Sequence, residues 1–190
     1  MKKTILLATL GLLMVSSYLE AQPKPIMGYD KVKWGTSVAD VRKVYNISDS
    51  VPLMVDEQDS NLHYIIQDGI SNSISWRKFY FKNDKLYRVW VAYKDTSDAN
   101  AKNLFSVIVN NFGNRTDYDI SSGSTYNLTY IQETSTFGKY SPDLVVELFH
   151  TIFYYMYEKD VNNILGQNSL MVCYTWKKFR DEYQASKLGL

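Results

Sequence analysis

The sequence predicts an α+β fold, in which an antiparallel sheet carries two or three helices packed mainly on one face. Two segments with helical spacing of apolar residues each precede a group of strand-like runs, so helices and strands segregate instead of alternating one by one. A hairpin signal at Asn83-Asp84 separates two of these runs. Among the 190 residues, 45% are hydrophobic and 22% are charged, which excludes a disordered chain.

The first residues predict export. Lys2 and Lys3 precede an apolar run from Ile5 to Val15, and a cleavage site follows at Ala21. This run is shorter than the roughly 20 apolar residues that span a bilayer, although an uncleaved anchor remains the alternative. We therefore expect residues 1–21 to be a signal peptide and the protein to be periplasmic or secreted, with no integral membrane span after cleavage.

Charge and cysteine content narrow the function further. Cleavage after Ala21 removes Lys2, Lys3 and Glu20 from totals of 21 basic and 20 acidic residues, so the remaining chain is neutral. Such a chain has no field that attracts nucleic acid, and we predict no nucleic-acid partner. The only cysteine, Cys173, lies in an apolar run and is expected to be a buried thiol, with an intermolecular disulfide as the alternative.

The elements follow in order after a tether at 22–29, and we expect residues 30–190 to form a single domain. Ser37 is placed to cap a helix with Asp40 three residues later, and its apolar stripe is expected to consist of Val38, Val41, Val44 and Tyr45. Residues 62–67 predict a strand. Residues 73–82 and 85–93 predict the two strands of the hairpin, because Asn and Asp tolerate the positive φ of a two-residue turn.

The second half of the chain repeats the order of a helix and then strands, without a recognisable sequence repeat. Ser97 is expected to begin the helix and Gly113 to end it. Strand-like runs follow at 125–132, 144–157 and 170–176, with a bend or break expected near His150. Residues 177–187 predict a short closing helix.

The hairpin predicts a binding surface. With residue 80 opposite 87 and 78 opposite 89, one face carries most of the aromatic and β-branched residues and favours the core. The other face combines Phe79 and Trp90 with Arg77 and Arg88. Because aromatic residues and Arg anchor protein interfaces, we predict these four residues as partner contacts. The alternative is that a loop or helix covers this face too, with the arginines at its edge.

Catalytic motifs are not recognisable. His63 and His150 stand in no catalytic or zinc motif, and neither a phosphate-binding glycine loop nor a nucleophile elbow is present. Glu147 and His150 would share a face on a helix but not on a strand. We therefore predict no catalytic residue, no cofactor and no metal site, and a protein that is not an enzyme.

A resemblance to small bacterial envelope domains covers about residues 30–112. Trp34-Gly35-Thr36-Ser37 is followed by Val41 and Tyr45, then by Trp76 with Phe79-Tyr80-Phe81, and by Leu86 with Val89 and Val91. This pattern resembles BamE-like outer-membrane assembly proteins and the β-lactamase-inhibitor-protein fold. The resemblance implies a protein that works by contact, without assigning any contact residue.

The sequence thus predicts an exported, non-enzymatic bacterial envelope protein that binds another envelope protein as an assembly factor, scaffold or inhibitor. Self-association is compatible with this interpretation, because exposed sheet edges can pair. The alternative is a periplasmic carrier of a small ligand or lipid, in which the aromatic sheet and a helix enclose a pocket.

Overall fold

The computed structural model describes residues 28–57, 59–125, 128–138, 144–155 and 168–178. The predicted signal peptide and most of the predicted tether lie outside this part of the chain. Gly28–Tyr29, at the end of the predicted tether, form strand β1, which pairs with β2 (Val32–Lys33). The predicted closing helix falls almost entirely outside the described residues.

The first half contains one helix and a four-stranded meander. Helix α1 spans Val38–Tyr45, and the side chain of Ser37 caps it as predicted, accepting from the backbone N–H of Asp40 at 3.2 Å. The strands that follow are β3 (Met54–Val55), β4 (Leu62–Asp68), β5 (Ile74–Lys82) and β6 (Lys85–Tyr93). The predicted strand at 62–67 and both hairpin strands are confirmed.

The second half has the same order. Helix α2 spans Asp98–Phe112, with Ser97 as its N-terminal cap and Gly113 at its C-terminal end, as predicted. It is followed by β7 (Asp117–Thr125), β8 (Leu128–Phe137), β9 (Leu144–Tyr155) and β10 (Ser169–Trp176). Strand β9 runs through His150 with both neighbours paired to it, so the break expected there is not found.

The two meanders join into one eight-stranded antiparallel sheet in the order β3-β4-β5-β6-β10-β9-β8-β7. The last strands of the two meanders, β6 and β10, pair with each other at the centre of the sheet. The predicted α+β class is wrong, because the described chain is mostly antiparallel sheet with only two helices. The polar sequence of β7 and the continuation of β8 to Phe137, beyond the predicted run at 125–132, concealed how much of the chain is strand.

A register shift sets the faces of the hairpin. Tyr80 pairs with Arg88, not with Tyr87, because the register slips between the pairs at Tyr80 and Phe81. A slip of one residue moves every later side chain to the opposite face. Phe79 and Phe81 therefore share a face with Val89 and Val91, and the predicted division of the hairpin into two faces is wrong.

The core lies between this face of the sheet and the helices. Val41 and Tyr45 of α1 pack with Phe79 and its neighbours, whereas Ala101 and Ile108 of α2 pack with Phe137 and other side chains of β8, β9 and β10. Trp34, Tyr93 and Tyr174 contact both clusters and connect them. Both described helices thus cover the same face of the sheet.

Candidate functional site

The sheet face away from α1 and α2, here called the distal face, is the candidate functional surface. Strand alternation and the observed register place side chains of five adjacent strands on it. Its larger members are half-buried and come from β4, β5, β6, β10 and β9: Tyr64, Trp76, Lys78, Tyr80, Arg88, Trp90, Met171 and Phe149. Between them, Cys173 and Thr175 are buried. The distal face therefore carries large aromatic and cationic groups over a floor of small side chains.

The structure divides the four predicted contact residues between the two faces. Phe79 is 0% exposed and lies in the core. Arg77 is also on the helix side, where its guanidinium carbon lies 5.5 Å from the centre of the Tyr45 ring and 5.9 Å from that of Tyr29. Arg88 and Trp90 lie together on the distal face. The four residues therefore do not form one surface, and Phe79 has no exposed area to offer a partner.

Trp90 occupies the middle of the distal face. Its ring stacks on Phe149 with centroids 5.0 Å apart and planes inclined by 28°. Cys173 lies between their strands, directly opposite Trp90 and buried as predicted, with its sulfur 3.4 Å from the hydroxyl of Thr175. The small side chains of β10 thus let two large rings from β6 and β9 meet across it.

A cleft opens on the distal face beside the β3–β4 connection, with a volume of about 460 Å³, and is here called the distal cleft. Its floor is aromatic, because Tyr64 and Tyr80 pack with ring centroids 5.5 Å apart. The Lys78 ammonium lies 3.7 Å from the centre of the Tyr64 ring and 4.6 Å from that of Tyr80. Two ring faces therefore hold this cation in place.

Arg88 supplies a second cation in the distal cleft. Its Nε donates to the hydroxyl of Thr175 at 3.3 Å, and its guanidinium carbon lies 5.4 Å from the Tyr87 ring centre. Lys82 also lines the cleft, as do the carboxylates of Asp56, Glu57 and Asp59 on the β3–β4 connection. The distal cleft therefore contains both signs of charge.

Burial and the nearby charges shift the pKa of two tyrosines of the distal cleft. Burial raises the pKa of Tyr80 to about 12, and the nearby Asp56 carboxylate acts in the same direction while Arg88 opposes it. Burial also raises the pKa of Tyr87, against the effect of Arg88. Both phenols therefore stay protonated and uncharged at neutral pH.

A second cavity, of about 470 Å³, lies between α2 and the strands β7 to β9 on the helix side. His150 lines it, and its Nε2 is 3.7 Å from Oδ1 of Asp98 and 3.4 Å from the carbonyl oxygen of Thr96. Glu133 is the cross-strand neighbour of His150. Glu147 lies on the distal face instead, as strand alternation predicts. These contacts link His150 to the start of α2.

The described residues hold no group of three or more His, Cys, Asp or Glu side chains arranged to bind a metal ion. None of the helices in the described part is long and apolar enough to cross a membrane. No family model, curated protein or solved structure matches the chain. The likeness to envelope domains therefore stays an expectation drawn from the sequence.

Of the charged residues that line the distal cleft, Arg88 was predicted as a contact from the sequence, and the other five were missed. Lys78 lies on the hairpin face that the sequence assigned to the core, because the predicted register placed residue 78 opposite 89. The signal that identifies it lies in every second residue of β5. Trp76, Lys78, Tyr80 and Lys82 share one face, on which aromatic and cationic residues alternate, and such a face is typical of a strand that contacts water on that side. No comparable signal marks Asp56, Glu57 and Asp59, which belong to an irregular acidic segment.

Proposed function

We propose that this chain is an exported, non-enzymatic protein of the bacterial envelope that binds another protein through its distal face. The signal-like first residues support export. The observation that carries the binding proposal is the stacked pair of Trp90 and Phe149 beside Arg88, half-buried on a sheet face that α1 and α2 leave uncovered. Trp and Arg are the residue types most enriched among the residues that dominate binding energy.

The geometry of this pair suits a contact surface. Stacking on Phe149 restricts the Trp90 ring before a partner arrives, so little rotamer freedom is lost on binding. Arg88 is likewise held by Thr175 and by the Tyr87 ring. A flat, rigid group of aromatic and guanidinium surfaces can then be desolvated together, which is the arrangement found at the centres of protein interfaces.

The test is crosslinking in intact cells, followed by affinity purification of the tagged full-length protein and mass spectrometry. We expect a reproducible envelope partner whose affinity falls by roughly 2 kcal/mol in Trp90→Ala, about thirtyfold. Tyr118→Ala is the matched control, because Tyr118 is an exposed ring on edge strand β7, outside the distal face. Recovery of no partner, or equal affinity of both variants for it, would contradict the proposal.

The distal cleft favours one second candidate, a carrier of a small ligand. A volume of about 460 Å³ lies within the range of small-molecule sites, and the aromatic floor offers apolar contact. Native mass spectrometry of the protein purified from its own cells tests this candidate. A stoichiometric bound compound is expected, and its absence would count against a carrier.

A further inference from the structure

Charge is separated by element within the distal cleft. The carboxylates of Asp56, Glu57 and Asp59 come from the connection between β3 and β4. The cations Lys78, Lys82 and Arg88 come from β5 and β6. The lining therefore contains three groups of each sign, and the tyrosine rings lie among them.

The cations of the distal cleft are not neutralised by ion pairs within the described chain. The close approach of a basic and an acidic side chain among the described residues is that of His150 Nε2 and Asp98 Oδ1, which lies on the other side of the sheet. Lys78 contacts two tyrosine rings instead, and Arg88 contacts the neutral hydroxyl of Thr175. Cations held by neutral partners in a concave site retain their capacity to bind an anion.

The acidic side of the distal cleft is positioned by its own backbone. The N–H of Asp56 donates to the carbonyl of Leu62 at 2.9 Å, and Oδ1 of Asp59 accepts from the N–H of Asn61 at 2.9 Å. Glu57, next to Asp56, is exposed and also lines the cleft. An anionic ligand would be repelled by the carboxylates of the cleft, and a cationic ligand by its lysine and arginine side. A ligand that carries one charge of each sign is attracted by both sides.

We propose that the distal cleft binds a zwitterionic small molecule. Its anionic group lies at Lys78 and Arg88, its cationic group lies at the carboxylates of the β3–β4 connection, and its body packs on Tyr64 and Tyr80. The volume of about 460 Å³ suits a ligand the size of a dipeptide or a phospholipid headgroup. This inference rests on the carrier candidate. Trp90 and Arg88 line the distal cleft as well as the proposed protein contact, so the titrations use the purified protein without a partner, which separates the two proposals.

Isothermal titration of the full-length protein with four forms of one dipeptide tests the charge requirement. The probes are alanyl-phenylalanine with free ends, the same peptide with its amino end acetylated, with its carboxyl end amidated, and with both ends blocked. Because each blocked end removes a charge-assisted contact, we expect the free peptide to bind roughly tenfold or more tightly than either singly blocked form. Phosphocholine serves as the headgroup probe, and whichever source binds more tightly identifies the ligand type.

Charge-neutralising variants locate the two ends of the ligand. Arg88→Gln and Lys78→Gln should abolish the preference for a free carboxyl end and leave the preference for a free amino end. Glu57→Gln should do the reverse. Lys43→Gln on α1 and Asp49→Asn in the following turn are matched controls, since both residues are exposed away from the cleft, and neither should change binding. Circular dichroism establishes that each variant folds, and Glu57, which is exposed on the rim, provides a test that does not depend on the strand variants.

Equal binding of the free and doubly blocked peptides would overturn the inference, as would the failure of both the dipeptide and phosphocholine to bind. Binding that the control variants weaken as much as Arg88→Gln would overturn it too. A copurified ligand without two opposite charges would leave the carrier function standing and remove this inference alone.

Discussion

At the scale of single residues, neighbouring positions on β5 face opposite sides of the sheet. Phe79 is enclosed by α1 and the sheet, with its ring 4.9 Å from that of Tyr45. Lys78, one position earlier, projects to the distal face and lies over two rings there. Core packing and exposure to the distal cleft thus alternate along one strand. If the proposed function is right, substitutions should separate stability from recognition.

The first prediction concerns Phe79. Phe79→Ala removes a completely buried ring and should lower the free energy of unfolding by about 3–5 kcal/mol, through lost burial and a residual cavity. Urea denaturation measures this, with Val107→Ala as the control, because Val107 is 51% exposed and should change stability by no more than about 0.5 kcal/mol. A loss similar to that of the control would show that Phe79 is not in the core.

The milder variant Phe79→Leu separates folding from binding. It keeps most of the apolar volume, so partner recovery per folded molecule should stay at the level of the unsubstituted protein. A selective loss of the partner at full stability would instead assign Phe79 the contact role that the sequence analysis expected.

At the scale of elements, local chemistry determined what the sequence could predict. Asn83 and Asp84 both adopt positive φ, at 51° and 59°, and form the two-residue turn that their side chains favour. The caps at Ser37 and Ser97 are local in the same way. The register slip at Tyr87 carries no such local signal. Its consequence is tertiary, because it places Val89 and Val91 in the core cluster with residues of α1. Because of this slip, Arg88 and Trp90 lie on the distal face, whereas Arg77 and Phe79 lie on the helix side.

Strand β7 was missed for a related physical reason. It lies at the edge of the sheet, and nearly all of its described side chains are exposed or half-buried. A strand in contact with water on both faces needs no apolar alternation, and its sequence from Asp117 to Ser124 therefore reads as a loop. Omitting β7 and misjudging β8 led to the predicted α+β class.

The second prediction tests the hairpin turn. Asn83→Gly should leave stability unchanged, since glycine adopts positive φ freely, whereas Asn83→Val should cost about 1–2 kcal/mol. Lys85→Val is the matched control, because Lys85 is exposed and begins β6 outside the two positive-φ positions. Urea denaturation of the three variants measures the difference. Equal stability of Asn83→Val and Lys85→Val would contradict the turn geometry.

At the scale of the whole molecule, the pairing of β6 with β10 unites two helix-and-meander units in one sheet. The order of helix and strands in each unit is visible in the sequence. Their joining is not, because it depends on pairs such as Trp90 with Cys173, which are far apart in the chain. The same long-range pairing assembles the distal face from both halves, so the candidate site could be predicted only in part.

The third prediction concerns alkaline pH. Burial raises the pKa of Tyr29 to about 12 and that of Tyr80 to about 12, from 10.0 in an unfolded chain. The folded state therefore keeps protons that the unfolded state releases, and this contribution to stability is complete below about pH 10 and is lost as the pH rises towards 12. We expect the free energy of unfolding to fall over this interval.

Ultraviolet absorbance of phenolate during an alkaline titration measures this behaviour. Some tyrosines of the native protein should ionise only near the upper end of the interval, whereas in urea all should ionise near pH 10. Tyr80→Phe should reduce the loss of stability with pH. Identical titration curves in the native and denatured states would contradict the burial of these phenols.

The most direct test of the central claim, that the distal face binds a protein partner, is site-specific photocrosslinking in living cells. A photoreactive phenylalanine analogue would replace Trp76 or Phe149 on the distal face, and Val44 or Val107 on the exposed surfaces of α1 and α2. The account predicts adducts with one and the same envelope protein from the two distal positions and none from the two helix positions. Adducts from the helix positions alone, or equally from all four, would contradict it.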